Sequence, residues 1–149
     1  MLKPIPDPHP LSMPYPPPIP RARAVVAVMS DLIFRSKIDE AARLNGLELR
    51  AAKSLEQLDR HLGAGEPAVV FVDLEADSLD PVAAIRRIRD RDKRGTVRVV
   101  GFAGHTNVAA IEAGRAAGAT LVLARSGLAA QLPTLLARVA EAERAREAT

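Results

Sequence analysis

Residues 69–77, VVFVDLEAD, decide the fold. Four apolar residues, three of them β-branched, run without a break into Asp73. A short apolar run of this kind, bounded by polar residues, is the pattern of a strand buried on both faces. Such strands belong to parallel sheets, whose faces are covered by crossover helices. The carboxylate at the strand's carboxyl end is then either a chemical group at a site or the polar end of a buried strand.

The same pattern recurs on both sides of this stretch. AVVAVM (24–29) is a second buried strand. SDLIFRSKIDEAARLNG (30–46) predicts a helix capped by Ser30 or Asp31, burying Ile33, Phe34, Ile38, Ala41 and Ala42, and ended by Gly46. LELRA (47–51) is a more polar strand, as an edge strand can be. SLEQLDRHLGAG (54–65) is a helix with a capping box from Ser54 to Gln57. Beyond Asp73, Asp80 and Pro81 read as N-cap and first helical residue. The helix PVAAIRRIRDR buries Val82, Ile85 and Ile88 and turns its arginines outward. VRVVGFA (97–103) is a fourth strand. Asn107 caps a helix that Gly118 ends, and TLVLA (120–124) is a fifth strand. A last helix follows Pro133 and ends in a charged, solvent-facing stretch.

Five strand–helix units in about 120 residues imply an α/β domain with a doubly wound five-stranded parallel sheet and right-handed crossovers. The order 2-1-3-4-5 is a common solution, with its ligand crevice at the carboxyl ends of strands one and three. Ser30, Asp31 and Asp73 stand at those ends.

Composition narrows the function. The chain has 149 residues, 48% hydrophobic and 3% aromatic, so its core is aliphatic. It has no cysteine, which excludes disulfides, thiol catalysis and Cys-based zinc sites. The absence of cysteine and of a signal-peptide or membrane-length apolar run makes a cytoplasmic location the expectation. Residues 1–22 hold nine of the twelve prolines and read as a disordered or semi-stiff arm, a docking segment or a passive tail. Met13 is an alternative translation start. Residues 1–23 carry a net +2 of the formal +3, so the folded part is nearly neutral. That argues against an electrostatic nucleic-acid binder, and the basic run 86–98 reads as a solvated helix face.

Three landmarks, VVFVD, VVGFAGH (99–105) and AAGATLVLARS (116–126), resemble the receiver domains of two-component response regulators, with matching order and spacing from Asp73. The CheY-like resemblance spans residue 24 to about 139 and implies a receiver-like domain over 24–146. It implies a phosphoacceptor at Asp73, a magnesium-binding acidic pair, a hydroxyl after strand four and a lysine after strand five. Here the acidic pair falls on Ser30 and Asp31, or on Met29 and Ser30 one register away. The hydroxyl position is Ala103. The lysine position is Arg125, which keeps the charge on a bulkier fork. The proline after it is Ser126, and the switch aromatic is Val122. Asp31 and Asp73, with Ser30 and Glu75 or Asp77 nearby, are the candidate ligands of a weak magnesium ion. An Arg125–Asp73 pair would mimic a satisfied, switched state.

The resemblance therefore implies an atypical, stand-alone receiver in signal transduction. It would act through protein contact, with impaired magnesium-dependent phosphorylation at Asp73. Its partners would be a histidine kinase or another signalling protein, or a second copy through helix four, strand five and helix five. A small-molecule or nucleotide binder using the same crevice is the alternative, though no GxGxxG or P-loop supports it. No Ser-His-Asp or Cys-His constellation supports an enzyme, and His105 is read as an exposed loop histidine.

Overall fold

The computed structural model describes residues 16–148. Five strands, β1 (Val25–Val28), β2 (Leu49–Ala52), β3 (Val69–Asp73), β4 (Val99–Ala103) and β5 (Leu121–Ala124), form one parallel sheet in the order β2-β1-β3-β4-β5. Helices α1 (Leu32–Arg43), α2 (Leu55–Gly63), α3 (Pro81–Arg91), α4 (Val108–Ala117) and α5 (Arg125–Ala148) connect and cover the strands. Architecture and strand order are those read from the sequence.

The pleat sorts the core into two layers. Val25, Ala27, Val69, Phe71, Val100 and Phe102 face α1 and α5, where they meet Phe34, Ile38, Leu128, Leu132 and Leu136. Val26, Val28, Val70, Val72 and Val99 face the other way, toward Leu58, Ala84, Ile85 and Ile88. A strand apolar on both faces was the condition for this two-sided packing. Leu74, just past β3, fits a notch made by two glycines: a Cβ on Gly114 of α4 would lie 2.8 Å from its Cδ1, and one on Gly101 of β4 would lie 3.1 Å away.

The local signals hold at the helix starts. Asp31 caps α1 by accepting from the amides of Ile33 and Phe34. Ser54 caps α2, and the Gln57 side chain reaches back to the amide of Lys53, one residue before the cap. Asp80 caps α3 with Pro81 in its first turn, and Asn107 caps α4, which ends at a left-handed Gly118.

Five details differ from the sequence reading. Ile33, expected inside, is 76% exposed, because the buried stripe of α1 runs through Phe34, Ile38, Ala41 and Ala42. Val82 is only half-buried at the edge of the α3 face. Helix α5 begins at Arg125, so Pro133 lies inside it. Buried Leu128 and Leu132 hold the two turns before Pro133, and the proline faces solvent, where water can serve the carbonyl its ring releases. The end of α5 is not wholly solvent-facing. Glu143 is 1% exposed and accepts from the backbone amide of Arg23 at 2.6 Å and from its Nε and Nη2 at 3.0 and 2.7 Å. Burial alone would raise the Glu143 pKa, but the Arg23 bonds outweigh it and hold the group below the usual range. The arginines of α3 are not all free either: Arg89 donates to the carbonyls of Gly118 and Val97, tying α3 to the turn before β5.

The sequence-defined arm lies mostly outside the described residues. Its last part, residues 16–22, is described and packs on the domain. Ile19 is buried beside α1, and its amide donates to the carbonyl of Gly46 at 3.1 Å.

Candidate functional site

Asp73 is the last residue of β3, one step beyond Val72, which pairs with Val28 at the end of β1, and it pairs in register with Phe102. The switch point of the strand order therefore lies beside it, as the topology rule requires. The residue is 5% exposed at the floor of the crevice. Oδ1 accepts from the amide of Glu75 at 2.9 Å and from Nη2 of Arg125 at 3.2 Å.

Arg125 is the centre of the site. It sits where β5 passes directly into α5, and its side chain crosses from there to β3. Nη2 also donates to Oε1 of Glu75 at 3.3 Å, and Nη1 lies 3.6 Å from Oδ2 of Asp31. Its guanidinium carbon stands 5.4 Å from the Phe34 ring centroid and 5.0 Å from that of Phe102. The two rings touch each other, 4.8 Å between centroids. Cation–π attraction and three carboxylates thus hold one guanidinium. Nη1 is buried and makes no hydrogen bond, since the Asp31 contact is too long for one.

Glu75 is fixed from the other side. The amide of Gly104 donates to Oε1 and Asn107 Nδ2 donates to Oε2, both at 2.8 Å. Asn107 therefore caps α4 with its oxygen and holds Glu75 with its nitrogen. The Asn107 and Gly104 bonds depress the Glu75 pKa. Asp73 moves the other way: burial raises its pKa, and the Glu75 amide and Arg125 only partly offset that.

Of the residues named from sequence, Asp31, Asp73, Glu75 and Arg125 come together. Ala103 ends β4, fully buried, and brings no hydroxyl. Ser30 has no carboxylate to complete an acidic pair. Asp77 is exposed in the loop before α3, and His105 is exposed after β4. The sequence reading missed the roles of Phe34, Phe102 and Asn107. The two phenylalanines carry only the periodicity of core positions, and Asn107 carries only a cap signal.

The residues do not fit a magnesium ion in this arrangement. Oδ1 of Asp31 is committed to two amides, and both oxygens of Glu75 are bonded. Asp73 Oδ1 is shared by an amide and a guanidinium, so a cation already lies among the acids. No three acidic or histidine side chains among the described residues are grouped to hold a metal. Magnesium needs near-octahedral oxygen ligation, and these oxygens are turned to N–H donors instead.

Solved structures share this backbone. The fold is that of a receiver domain. The chain matches the NtrX protein of Brucella abortus with a TM-score of 0.68 and 20% identity, over 85% of this chain but only 28% of that one. It matches a putative response regulator from Chloroflexus aurantiacus with a TM-score of 0.68 and 20% identity, over 81% of this chain and 99% of that one. A signal receiver domain from Pseudomonas fluorescens Pf-5 aligns at 0.68 and 15% identity over 87% and 94% of the two chains. No family model matches the sequence, and no curated protein does so by sequence. No described helix is long and apolar enough to cross a membrane.

Proposed function

We propose that this receiver-fold domain is a signalling module that works by protein contact, with Arg125 as the resident cation of its acidic pocket. One observation carries the reading: the Arg125 guanidinium bonds Asp73 and Glu75 and approaches Asp31. In a receiver that takes up phosphate, an Asp73 oxygen attacks phosphorus, forms the acyl phosphate and releases the donor's leaving group. That step depends on charge neutralisation and on donors to the phosphoryl oxygens. Here Ala103 offers no hydroxyl, and Arg125 is already engaged with the nucleophile itself. Phosphorylation at Asp73 is accordingly impaired, and the switch state is set by partner binding rather than by a covalent group.

The contact surface is the face of α4, β5 and α5, toward a signalling protein or a second copy. Val108 at 57% and Leu121 at 41% exposure supply apolar area there. Val122, at the place of the switch aromatic, is buried, so no aromatic flip reports a change on this face. The crevice alternative, a small-molecule or nucleotide site, has no specific support, because the Arg125 guanidinium already occupies the acidic pocket and no GxGxxG or P-loop accompanies it.

Treatment with acetyl phosphate or beryllofluoride plus magnesium tests the reading by intact mass and amide shifts. Wild-type protein should stay unmodified, and the double variant R125K/A103S should gain adduct at Asp73. Stoichiometric uptake by wild type, absent in D73N, would sink the proposal.

A further inference from the structure

The two residues that follow Asp73 hold helix α4 in different ways. Leu74 fills the notch at Gly114, in the second half of the helix, where a Cβ would lie 2.8 and 2.9 Å from its two methyl carbons. Glu75 takes the other end. Its oxygens accept from the amide of Gly104 and from Nδ2 of Asn107, both at 2.8 Å, and Oε1 also accepts from Nη2 of Arg125 at 3.3 Å. We infer that Glu75 and Asn107 form a relay that sets the first turn of α4 according to the position of Arg125. The relay regulates the contact face, and so it rests on the reading above that this face meets a partner.

Connectivity is the first support. Nη2 of Arg125 is shared between Asp73 Oδ1 and Glu75 Oε1, so a shift of the guanidinium toward one acid weakens its hold on the other. Glu75 Oε1 is in turn shared between Arg125 and the Gly104 amide. Asn107 commits its amide nitrogen to Glu75 and its amide oxygen to the Ala110 amide of α4. Every link from Asp73 to the start of α4 is thus a side chain with partners on both sides. Ala103 ends β4 without a polar side chain, so β4 offers no parallel polar link to Asp73.

Mechanics is the second support. Leu74 is buried and its packing at Gly114 is apolar, so that contact does not depend on the charge of Arg125. The first turn of α4 is held instead through a partly exposed carboxylate. An element end held by solvated bonds opens more readily than a packed notch. Val108, the exposed apolar residue of the contact face, is the first residue of α4 and follows Asn107 directly. Coupling of this kind is reciprocal, so a partner that covers Val108 and shifts Asn107 also changes the hold of Glu75 on Arg125. The competing explanation is that Asn107 is only a helix cap and Glu75 only a bond within the loops.

A double-mutant cycle on the full chain, read by amide chemical shifts of the folded protein, separates the two. R125M should shift the amides of Ala110 and Ile111, which donate to the side chain and the carbonyl of Asn107. The shifts should fade by Gly114, where Leu74 holds the helix. In an E75A background R125M should leave Ala110 and Ile111 where they are. R125Q, also uncharged, should reproduce both results. N107S keeps a helix cap but has no amide donor, and it probes the relay from the other end. It should shift the Nε–H signal of Arg125 in the wild-type background and not in E75A. An R125M shift at Ala110 and Ile111 of the same size with and without Glu75, or no shift there at all, would overturn the proposal. So would an N107S change that does not reach Arg125. Neither a phosphate donor nor a partner enters this cycle. Its failure would leave the reading of the pocket standing, and an adduct at Asp73 would sink that reading without changing the cycle.

Discussion

Replacing Arg125 by alanine removes the cation that three carboxylates share, and the structure sets the size of the loss. The bonds to Asp73 and Glu75, at 3.2 and 3.3 Å, are long for charge-assisted pairs and partly solvated, so each contributes about 0.5–1 kcal/mol. Contact with the Phe34 and Phe102 rings contributes about 0.5–1 kcal/mol in all at a side chain that is 32% exposed. The packed stem adds about 1 kcal/mol, and released side-chain entropy returns a similar amount. The variant should therefore lose about 2 kcal/mol at pH 7, read as a lower urea midpoint at unchanged slope. R125M keeps contact with the rings through its thioether but loses both charge-assisted bonds, so it should lose about 1–2 kcal/mol, most of the alanine effect. Both losses should shrink toward pH 4. There Asp73, whose pKa burial raises, is among the first carboxylates to protonate and needs the guanidinium least. An R125M protein as stable as wild type at pH 7, or an R125A loss that does not change with pH, would refute the shared-cation reasoning.

Two further outcomes follow from the same electrostatics. Because the folded-state pKa of Asp73 is raised, its stability contribution is full below the ordinary aspartate value and is lost as pH rises through the folded value. D73N should thus melt at or above the wild-type temperature at pH 7 and lose that advantage in acid; a thermal scan showing D73N several degrees below wild type at pH 7 would contradict this. Glu143 behaves oppositely, with stability present above the ordinary glutamate value and lost as pH falls through its lowered one. R23A leaves that buried carboxylate with Arg146 as its remaining side-chain cation, and should cost about 2–3 kcal/mol near neutrality and less at pH 3. Equal losses at both pH values in denaturant titrations would exclude the ion pair as the cause.

Sequence by itself determined the secondary elements, their parallel arrangement and the position of Asp73. These rest on local chemistry: β-branched runs buried on both faces, Asp31, Ser54, Asp80 and Asn107 as caps, and Gly118 as a left-handed stop. A periodicity reading fails where burial comes from a distant element. Pro133 looked like a helix start, yet Leu128 and Leu132 pack on the sheet and carry the helix back to Arg125. Glu143 looked like part of a solvated end, yet its partner Arg23 lies 120 residues away. Only the tertiary structure decided the state of the pocket at Asp73. That Arg125 lies over two touching phenylalanine rings and among Asp31, Asp73 and Glu75 depends on four segments converging, and no single segment encodes that distance. The positions of the acid and the base were legible in the chain, but which of them neutralises the other is a property of the space between β3 and β5.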